Sequence, residues 1–188
     1  NGDPDMENRP RQDETGRNLV TDLRVKATIR QHLVDRGHEI LCQKTRTEED
    51  NVRSMAQRIT DAFDLEQMEN RSQVQQAVCR RFIDASAFGA VITAENYNTS
   101  VTGPLQFSIG ESFGESEIKT FSITSCFASG DSNTQGTMGS FHVLPEAIFK
   151  VQGYVCPFRA AMTGFTEERL HTILESLWEG TKTLLSRS

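Results

Sequence analysis

Hydrophobic residues recur every three or four positions in four stretches of the chain, which is the spacing of an amphipathic helix. The first helix is predicted over residues 19–36, and Gly37 is placed to end it. Two more helices are predicted within residues 50–86, where Ser72 is a suitable N-cap for the second. The last helix, over residues 166–185, begins with a capping threonine and has acids in its first turn.

Hydrophobic and polar residues alternate in the second half of the chain, which predicts strands with one buried face. A short strand is also predicted over residues 39–44, and the strand-rich half begins at Phe88. Residues 128–139 are rich in Ser, Gly, Asn and Asp and are predicted to form the tip of a long β-hairpin. We expect the last helix to pack on the sheet. The alternating hydrophobic residues are Leu105, Phe107, Ile109, Phe121, Ile123, Phe127, Phe149, Val151 and Val155.

The order of these elements indicates an α+β fold. With one strand supposed ahead of residue 1, the chain reads strand, helix, strand, helices, strands with a long hairpin, helix. This is the order of an elaborated βαββαβ ferredoxin-like domain, the architecture of many RNA-binding modules. We therefore expect residues 1–188 to form a single RRM-like domain whose first strand is missing.

The net charge of −6 and the pI of about 5.3 argue against a generally basic nucleic-acid-binding domain. The acids are concentrated in residues 47–69 and 94–148, whereas the first helix stays basic. A local phosphate-binding strip is therefore compatible with an acidic protein. The chain contains no run of about 18 apolar residues, so no membrane span is predicted.

The sequence gives no positive sign of catalysis or of a cofactor. The four cysteines are far apart and form no C-x-x-C or Cys-His pair, which argues against a zinc site. The chain has no P-loop and no dinucleotide-binding fingerprint. None of its four histidines has a neighbouring Ser or Cys that indicates a nucleophile. We expect a protein that is not an enzyme and that needs no metal or cofactor.

Two cations of the first helix fall among its apolar positions. Lys26 and Arg30 lie inside the apolar arc of the helical projection, and as like charges four residues apart they repel each other. A polyanion passing over this face would pair with both. A ladder of Asp22, Lys26 and Arg30, with side chains that extend past the edge of the core, explains them equally well. The arc is defined by Leu19, Leu23, Ala27, Leu33 and Val34.

Four arginines lie close in sequence to that face, and the guanidinium fork suits phosphate groups. Together with the two cations they form a candidate strip for contacts with a nucleic-acid backbone. These arginines are Arg9, Arg11, Arg17 and Arg24.

Three acids of the same loop form a D-x-D-x-E pattern, Asp3, Asp5 and Glu7, which offers oxygen ligands for a divalent cation. The pattern lacks the further ligands and the Gly of a calcium-binding loop. Surface or turn-capping roles are therefore favoured for these acids.

Five segments carry a resemblance to a known family. The longest is residues 1–26, and the others are Phe88-Gly-Ala-Val, Thr102-Gly-Pro-Leu-Gln-Phe107, Gln135-Gly-Thr-Met-Gly-Ser-Phe-His-Val-Leu-Pro145 and the ending Leu177-Trp-Glu-Gly-Thr-Lys-Thr-Leu-Leu-Ser-Arg-Ser. In these segments the chain resembles the repeated backbone subunit of type I CRISPR surveillance complexes (Cascade), closest to the type I-B branch, within the RAMP superfamily.

The resemblance implies an RRM-like palm, a helical fingers region over residues 47–87 and a β-hairpin thumb over residues 125–142. It implies that the two cations of the first helix meet the backbone of a guide RNA. In this family the thumb bends the guide and flips a base out, so Met138 and Phe141 are candidates for contacts with unstacked bases. The complete set of candidate RNA-binding residues is Arg9, Arg11, Arg17, Arg24, Lys26, Arg30, Gln106, Met138 and Phe141.

The function that the resemblance implies is structural. Copies of the subunit polymerise along the guide RNA (crRNA) and present it for pairing with target DNA, in a cytoplasmic antiviral ribonucleoprotein with other CRISPR effector subunits and no membrane. The alternative is a type III-like backbone subunit that also cleaves target RNA, using Asp3 or Asp5 with a divalent metal. The type I-like segments favour the subunit that does not cleave. A third interpretation is a ferredoxin-like protein-interaction domain without nucleic acid, for which only the acidic pI argues.

Overall fold

The computed structural model of the chain describes residues 2–94, 97–124 and 138–184. These residues combine helices and strands in two compact units. The strand unit comprises the described parts of residues 1–24 and 108–152. The helical unit comprises the described parts of residues 25–107 and 153–184.

In chain order, the strands are β1 (Gly2–Asp3), β2 (Arg9–Pro10), β3 (Arg17–Val20), β4 (Gly89–Ala94), β5 (Tyr97–Thr102), β6 (Leu105–Phe107), β7 (Gly110–Glu115), β8 (Lys119–Thr124), β9 (Met138–Val143), β10 (Phe149–Lys150) and β11 (Gly153–Val155). The α-helices are α1 (Asp22–Asp35), α2 (Met55–Ala62), α3 (Arg71–Arg81), α4 (Ile83–Phe88), α5 (Pro157–Thr163) and α6 (Glu167–Lys182).

The described strands pair in small antiparallel sheets. In the strand unit β7 lies between β3 and β10, while β1 pairs with β2 and β8 with β9. In the helical unit β4 pairs with β5, and β6 with β11. The predicted α+β class is confirmed as a mixed helix and strand fold. No sheet of more than three strands is present in the described part of the chain.

Helix α1 begins at Asp22, later than predicted, because residues 17–20 pair with β7 as strand β3. Its end agrees with the prediction. The N–H groups of Gly37 and His38 donate to carbonyls of the last turn, and the positive φ of Gly37, +83°, is a conformation that glycine adopts without strain.

The predicted apolar arc of α1 is wrong. Leu23 is 69% exposed and Ala27 is also exposed. The sequence contains a second apolar stripe at four-residue spacing, and it is this stripe that packs into the core. The buried residues of α1 are Val25, Lys26, Thr28, Ile29 and Leu33.

The strand predicted over residues 39–44 is not formed. The N–H of Leu41 donates to Oδ1 of Asp84 at 2.8 Å, and the N–H of Cys42 donates to Oδ2 of the same carboxylate at 3.1 Å. These two backbone donors are thus satisfied by a side chain of α4 and not by a neighbouring strand.

Local capping sets the starts of α2 and α3. Ser54 and Gln57 form a reciprocal capping box at α2. Asn70 caps α3 by accepting from the N–H of Gln73, so the predicted cap Ser72 is wrong by two residues. These helices and the β4–β5 pair enclose the core of the helical unit. Its buried residues are Leu41, Ile59, Val74, Val78, Phe82, Ala85, Ile92 and Ala94.

Helix α6 begins as predicted, because the hydroxyl of Thr166 accepts from the N–H of Arg169. Its predicted packing on a sheet is wrong, because its buried side packs against the helices α4 and, at Gly180, α1. A Cβ on Gly180 would lie 2.9 Å from Cβ of His32 and 3.2 Å from the carbonyl oxygen of Thr28, so only glycine permits this approach. The other buried residues of α6 are Ile173 and Ser176.

The expectation that each strand has one buried face is also wrong for several positions. Two-stranded sheets leave side chains uncovered when no other layer packs on them. Phe127 and residues 128–137 of the predicted hairpin tip lie outside the described residues. The exposed members of the alternating set are Ile109, Phe121, Ile123, Val151 and Val155.

No helix in the described part of the chain combines the length and the apolar character that a membrane crossing requires.

Candidate nucleic-acid interface

Lys26 and Arg30 lie one turn apart on α1 and share the ring of Phe88. Nζ of Lys26 is 5.8 Å from the ring centroid and Cζ of Arg30 is 5.1 Å from it, both within the range of a cation–π interaction. Phe88 is itself buried at the end of α4. The ring therefore supports the two cations from the interior and is not available for stacking on a base.

Arg30 forms an ion pair with a buried carboxylate. Its Nε–H donates to Oδ2 of Asp84 at 2.9 Å, and the side chain of Asp84 is fully buried whereas that of Arg30 is 18% exposed. The same carboxylate accepts the N–H groups of Leu41 and Cys42. One charged group thus joins α1, α4 and the segment between α1 and α2. This bond uses one of the five N–H donors of the guanidinium.

Lys26 lies almost entirely within the protein surface, with 8% of the residue exposed. Its Nζ donates to Oε1 of Gln106 at the long distance of 3.4 Å. The amide of Gln106 is held by a second bond, from Nε2 to the carbonyl oxygen of Gly103 at 3.1 Å. The structure therefore brings three of the predicted residues, Lys26, Arg30 and Gln106, to one place in the helical unit.

Two glycines set the positions of Phe88 and Gln106. A Cβ on Gly103 would lie 2.3 Å from the carbonyl oxygen of Ala87 and 2.4 Å from the amide nitrogen of Gly89. Gly89 has a φ of +84°, and a Cβ there would lie 2.3 Å from the carbonyl oxygen of Val101. Two of the segments that carried the family resemblance are thus in direct backbone contact, which only residues without side chains allow.

A surface cleft of about 210 Å³ adjoins Arg30 in the helical unit. One wall is α1 and the other is the segment after it. Cys42 is exposed as a residue and lines this cleft, and desolvation by its surroundings and then the nearby Asp84 carboxylate raise the pKa of its thiol above the usual value. The residues lining the cleft are Ala27, Arg30, Gln31, Val34, Ile40, Cys42, Gln43 and Lys44.

The loop arginines belong mainly to the strand unit. Arg9 is exposed on β2, directly opposite Asp3 of β1. Arg11 is half-buried, and its Nη1 lies 3.1 Å from Oδ2 of Asp3. Arg17 is exposed on β3, opposite Glu115 of β7.

Arg24, the fourth predicted arginine, is half-buried in the first turn of α1, where its N–H donates to the carbonyl oxygen of Thr21.

The predicted base-contacting residues lie on β9 of the strand unit. Phe141 is half-buried and stands opposite Phe121 of β8, which is 52% exposed. Met138 begins β9, where its backbone is paired with Thr124. Strand β2, which carries Arg9, lies against β9. The strand unit thus gathers a cation and a pair of aromatic rings on neighbouring strands, while residues 125–137 of the predicted thumb lie outside the described residues.

The acids of the first loop are engaged with the protein itself. Oδ1 of Asp3 accepts from the N–H of Asp5 and caps a short 3₁₀ turn, while Oδ2 pairs with Arg11. The described residues contain no group of three His, Cys, Asp or Glu side chains that could hold a metal ion. The turn-capping role favoured from the sequence is therefore the one that Asp3 has in this structure.

Sequence reasoning missed three residues of this site: Asp84, Phe88 as the support of the cations, and Lys44. Asp84 resembles an ordinary acid in the first turn of a helix, and its partners lie more than 40 residues earlier. Phe88 is a buried core residue, and the sequence pattern gives no sign that its ring also contacts the two cations. Only the surplus of cations on α1 could have pointed to a buried counter-charge.

Comparison with known proteins identifies relatives. The family model of "CRISPR-associated protein Cas7" matches residues 1–188. The chain is similar to the CRISPR-associated protein Cas7 of Haloferax volcanii, with 31% identity over 159 residues, which is 72% of this chain and 46% of that protein. The chain thus spans about half the length of this curated relative. Its fold is similar to that of a chain from a solved "CRISPR RNA-guided surveillance complex, pre-nicking", with a TM-score of 0.50 and 12% identity over 95% of this chain and 69% of that one.

Proposed function

Because the chain belongs to the Cas7 family of CRISPR-associated proteins, we propose that it is a guide-RNA-binding backbone subunit of a type I CRISPR interference complex. The observation that carries the proposal is the cluster of Lys26, Arg30 and Gln106 around Phe88. Although the chain is acidic overall, Lys26 and Arg30 lie side by side on α1 and both contact the ring of Phe88. Such local positive charge suits a polyanion.

The proposed mode of binding is contact with the RNA backbone. Lysine and arginine side chains that meet phosphates position a strand without reading its sequence. The bases then stay available for pairing with target DNA, and the guide itself supplies specificity. The subunit has a structural role in this scheme and performs no chemical step.

The strand unit supports the proposal through a second set of contacts. Arg9 and Arg17 offer exposed guanidinium groups, and Phe121 with Phe141 offers an aromatic pair on the β8–β9 arms. Aromatic side chains that stack on unpaired bases are a common means of binding single-stranded RNA. We propose that residues 125–142 form the thumb and residues 47–87 the fingers of an RRM-like palm.

Assembly with further copies and with other effector subunits is part of the same proposal. The helical unit exposes large apolar side chains, an arrangement typical of protein interfaces. Phe158 and Met162 are four residues apart on α5, and Trp178 is on α6; they are 75%, 69% and 66% exposed. Covering these side chains in a filament along the guide would remove them from water.

The test uses the protein assembled with guide RNA and the variant Lys26→Met, which removes the charge and keeps the apolar stem. The matched control is Lys182→Met, which removes an exposed cation from α6 of the same unit. We expect Lys26→Met to weaken RNA binding about tenfold in low salt and to lower the slope of log affinity against log salt by about 0.7. The control should leave both unchanged.

Two results would contradict the proposal. One is a wild-type protein that binds no RNA, which would favour a protein-interaction domain. The other is periodic cleavage of complementary RNA in the presence of Mg²⁺, which would favour the type III-like alternative.

A further inference from the structure

The cleft between α1 and the segment after it carries positive charge in addition to the cluster at Phe88. Arg30 and Lys44 are the charged residues that line it, and both are cations. Lys44 is exposed and forms no ion pair with any residue that the structure describes. Two carboxylates are bonded to lining residues: the fully buried Asp84 pairs with Arg30, and Asp35 accepts from the side-chain amide of Gln31.

The two walls of the cleft are fixed by one buried group. Asp84 holds the Arg30 side chain of the first wall and the Leu41 and Cys42 amides of the second. Arg58 of α2 anchors the second wall separately, because its Nη2 donates to the carbonyl oxygen of Ile40. A cleft held in this way needs little reorganisation when a ligand enters, which is the condition for a strong charged contact.

The size of the cleft limits what it can hold. Its volume of about 210 Å³ is below the range of about 300–1,000 Å³ that is typical of sites for whole small molecules. The exposed side chains of Gln43 and Lys44 leave it open to solvent, so one group of a longer chain can enter while the rest stays outside. The side-chain amide of Gln43 adds donors beside the two cations, and Gln31 keeps one N–H besides the one that it donates to Asp35.

We propose that this cleft binds one phosphodiester group of the RNA backbone, held by the guanidinium of Arg30 and the ammonium of Lys44. The assignment rests on the proposed function, and it adds Lys44 and the wall of residues 40–44 to the interface. Arg30 then has a double role: Nε–H binds Asp84, and the outer N–H groups of its guanidinium point to the phosphate.

The first experiment compares full-chain wild type, Lys44→Met and Lys182→Met in binding to a single-stranded RNA over a salt series. We expect Lys44→Met to weaken binding up to about fivefold in low salt and to lower the salt slope by about 0.7, the value for one phosphate contact with a single strand. Lys182→Met, with the same loss of charge in the same unit, should match the wild type.

The second experiment uses the native thiol in the cleft and needs no variant. Cys42 is exposed and lines the cleft. Its alkylation by a maleimide at pH 8.5, followed by peptide mapping, should slow severalfold when RNA is bound. Inorganic phosphate at millimolar concentration should give no such protection, because a single ion lacks the neighbouring contacts of the strand.

The outcomes separate this inference from the proposed function. If the wild type binds RNA with a salt-dependent affinity while Lys44→Met keeps the same affinity and slope and Cys42 stays unprotected, the cleft assignment is wrong and the proposed function stands. If the wild type binds no RNA, both are wrong. Loss of slope in Lys44→Met together with protection of Cys42 supports both.

Discussion

Replacing Asp84 by Asn tests the central contact of the helical unit. The substitution keeps the shape of the side chain and removes its charge. In the structure this carboxylate accepts three hydrogen bonds, from Arg30 and from the amides of Leu41 and Cys42, and it has no exposure to water. An amide group can accept through one oxygen only, so at least one of these donors meets an NH₂ group.

The expected loss of stability follows from burial. Removing one partner of a buried ion pair costs about 3–5 kcal/mol, because the remaining charge stays without a counter-ion. The side chain of Arg30 is 18% exposed, so water screens part of its charge and we expect about 3 kcal/mol. Arg36→Met is the control, because Arg36 and Glu175 form a pair at 3.3 Å with both side chains more than half exposed. That substitution should cost less than about 1 kcal/mol.

Urea unfolding of the full chain measures both variants, with the midpoint compared at constant m-value. Native-state hydrogen exchange adds a local readout, since the amides of Leu41 and Cys42 should exchange faster in Asp84→Asn than in the wild type. The double variant Asp84→Asn with Arg30→Met should lose less than the sum of the two single losses, by about 1–3 kcal/mol. A loss below about 1 kcal/mol with unchanged exchange at both amides would show that Asp84 does not hold these contacts together.

Three other substitutions give separate tests. Gly103→Ala should destabilise the protein by about 3 kcal/mol, because the new Cβ would lie 2.3 Å from a carbonyl oxygen. In the control Gly114→Ala the new Cβ has no atom within 4 Å, so the free energy of unfolding should stay within about 0.5 kcal/mol of the wild type. Equal urea midpoints for the two variants would contradict this. Arg169→Met should lower the free energy of unfolding by about 2 kcal/mol, because the Arg169 guanidinium donates to two carbonyls at the end of α3 and to a serine hydroxyl. A loss under about 0.5 kcal/mol in thermal unfolding would contradict this role. The hydrogen bond from Arg81 lowers the pKa of Glu39, so the stability that Glu39 adds is present above its unfolded pKa and is lost as the pH falls through its folded pKa. The wild type should therefore exceed Glu39→Gln in urea midpoint at pH 7, and this excess should shrink as the pH is lowered below the unfolded pKa of Glu39. A difference that does not change with pH would disprove this.

Local signals in the sequence predicted the elements whose ends depend on near neighbours. Gly37 ends α1 and Thr166 caps α6 through bonds within a few residues, so both were predictable. The strand predicted over residues 39–44 failed because its amide donors bind a carboxylate about 40 residues later. No pattern of hydrophobic residues reveals a partner of that kind.

The candidate site was partly predictable for the same reason. Lys26 and Arg30 were found because cations on an apolar face conflict with the helical pattern. The ladder of Asp22, Lys26 and Arg30 was one of two interpretations left open by the sequence, and it did not include Asp84, the carboxylate that pairs with Arg30 in the structure. Gln106 came from the family resemblance, and the structure supplies its physical role as the acceptor for Lys26.

The contact between Gly89 and Gly103 joins two of the segments that carry the family resemblance. The two segments are separate motifs in the sequence, and in the structure they form a single packing unit in which backbones touch. This close approach requires tertiary structure to be recognised, because residues 14 positions apart give no local signal for it.

The proposed role in binding guide RNA is best measured by the nucleic-acid content of the assembly purified from cells that express this chain together with a guide RNA. We expect an RNA of fixed length that stays bound at physiological salt, with several copies of the subunit for each RNA. We also expect a lower RNA yield for Lys26→Met than for Lys182→Met. A purified assembly whose absorbance is that of protein alone would show that the proposed role is wrong.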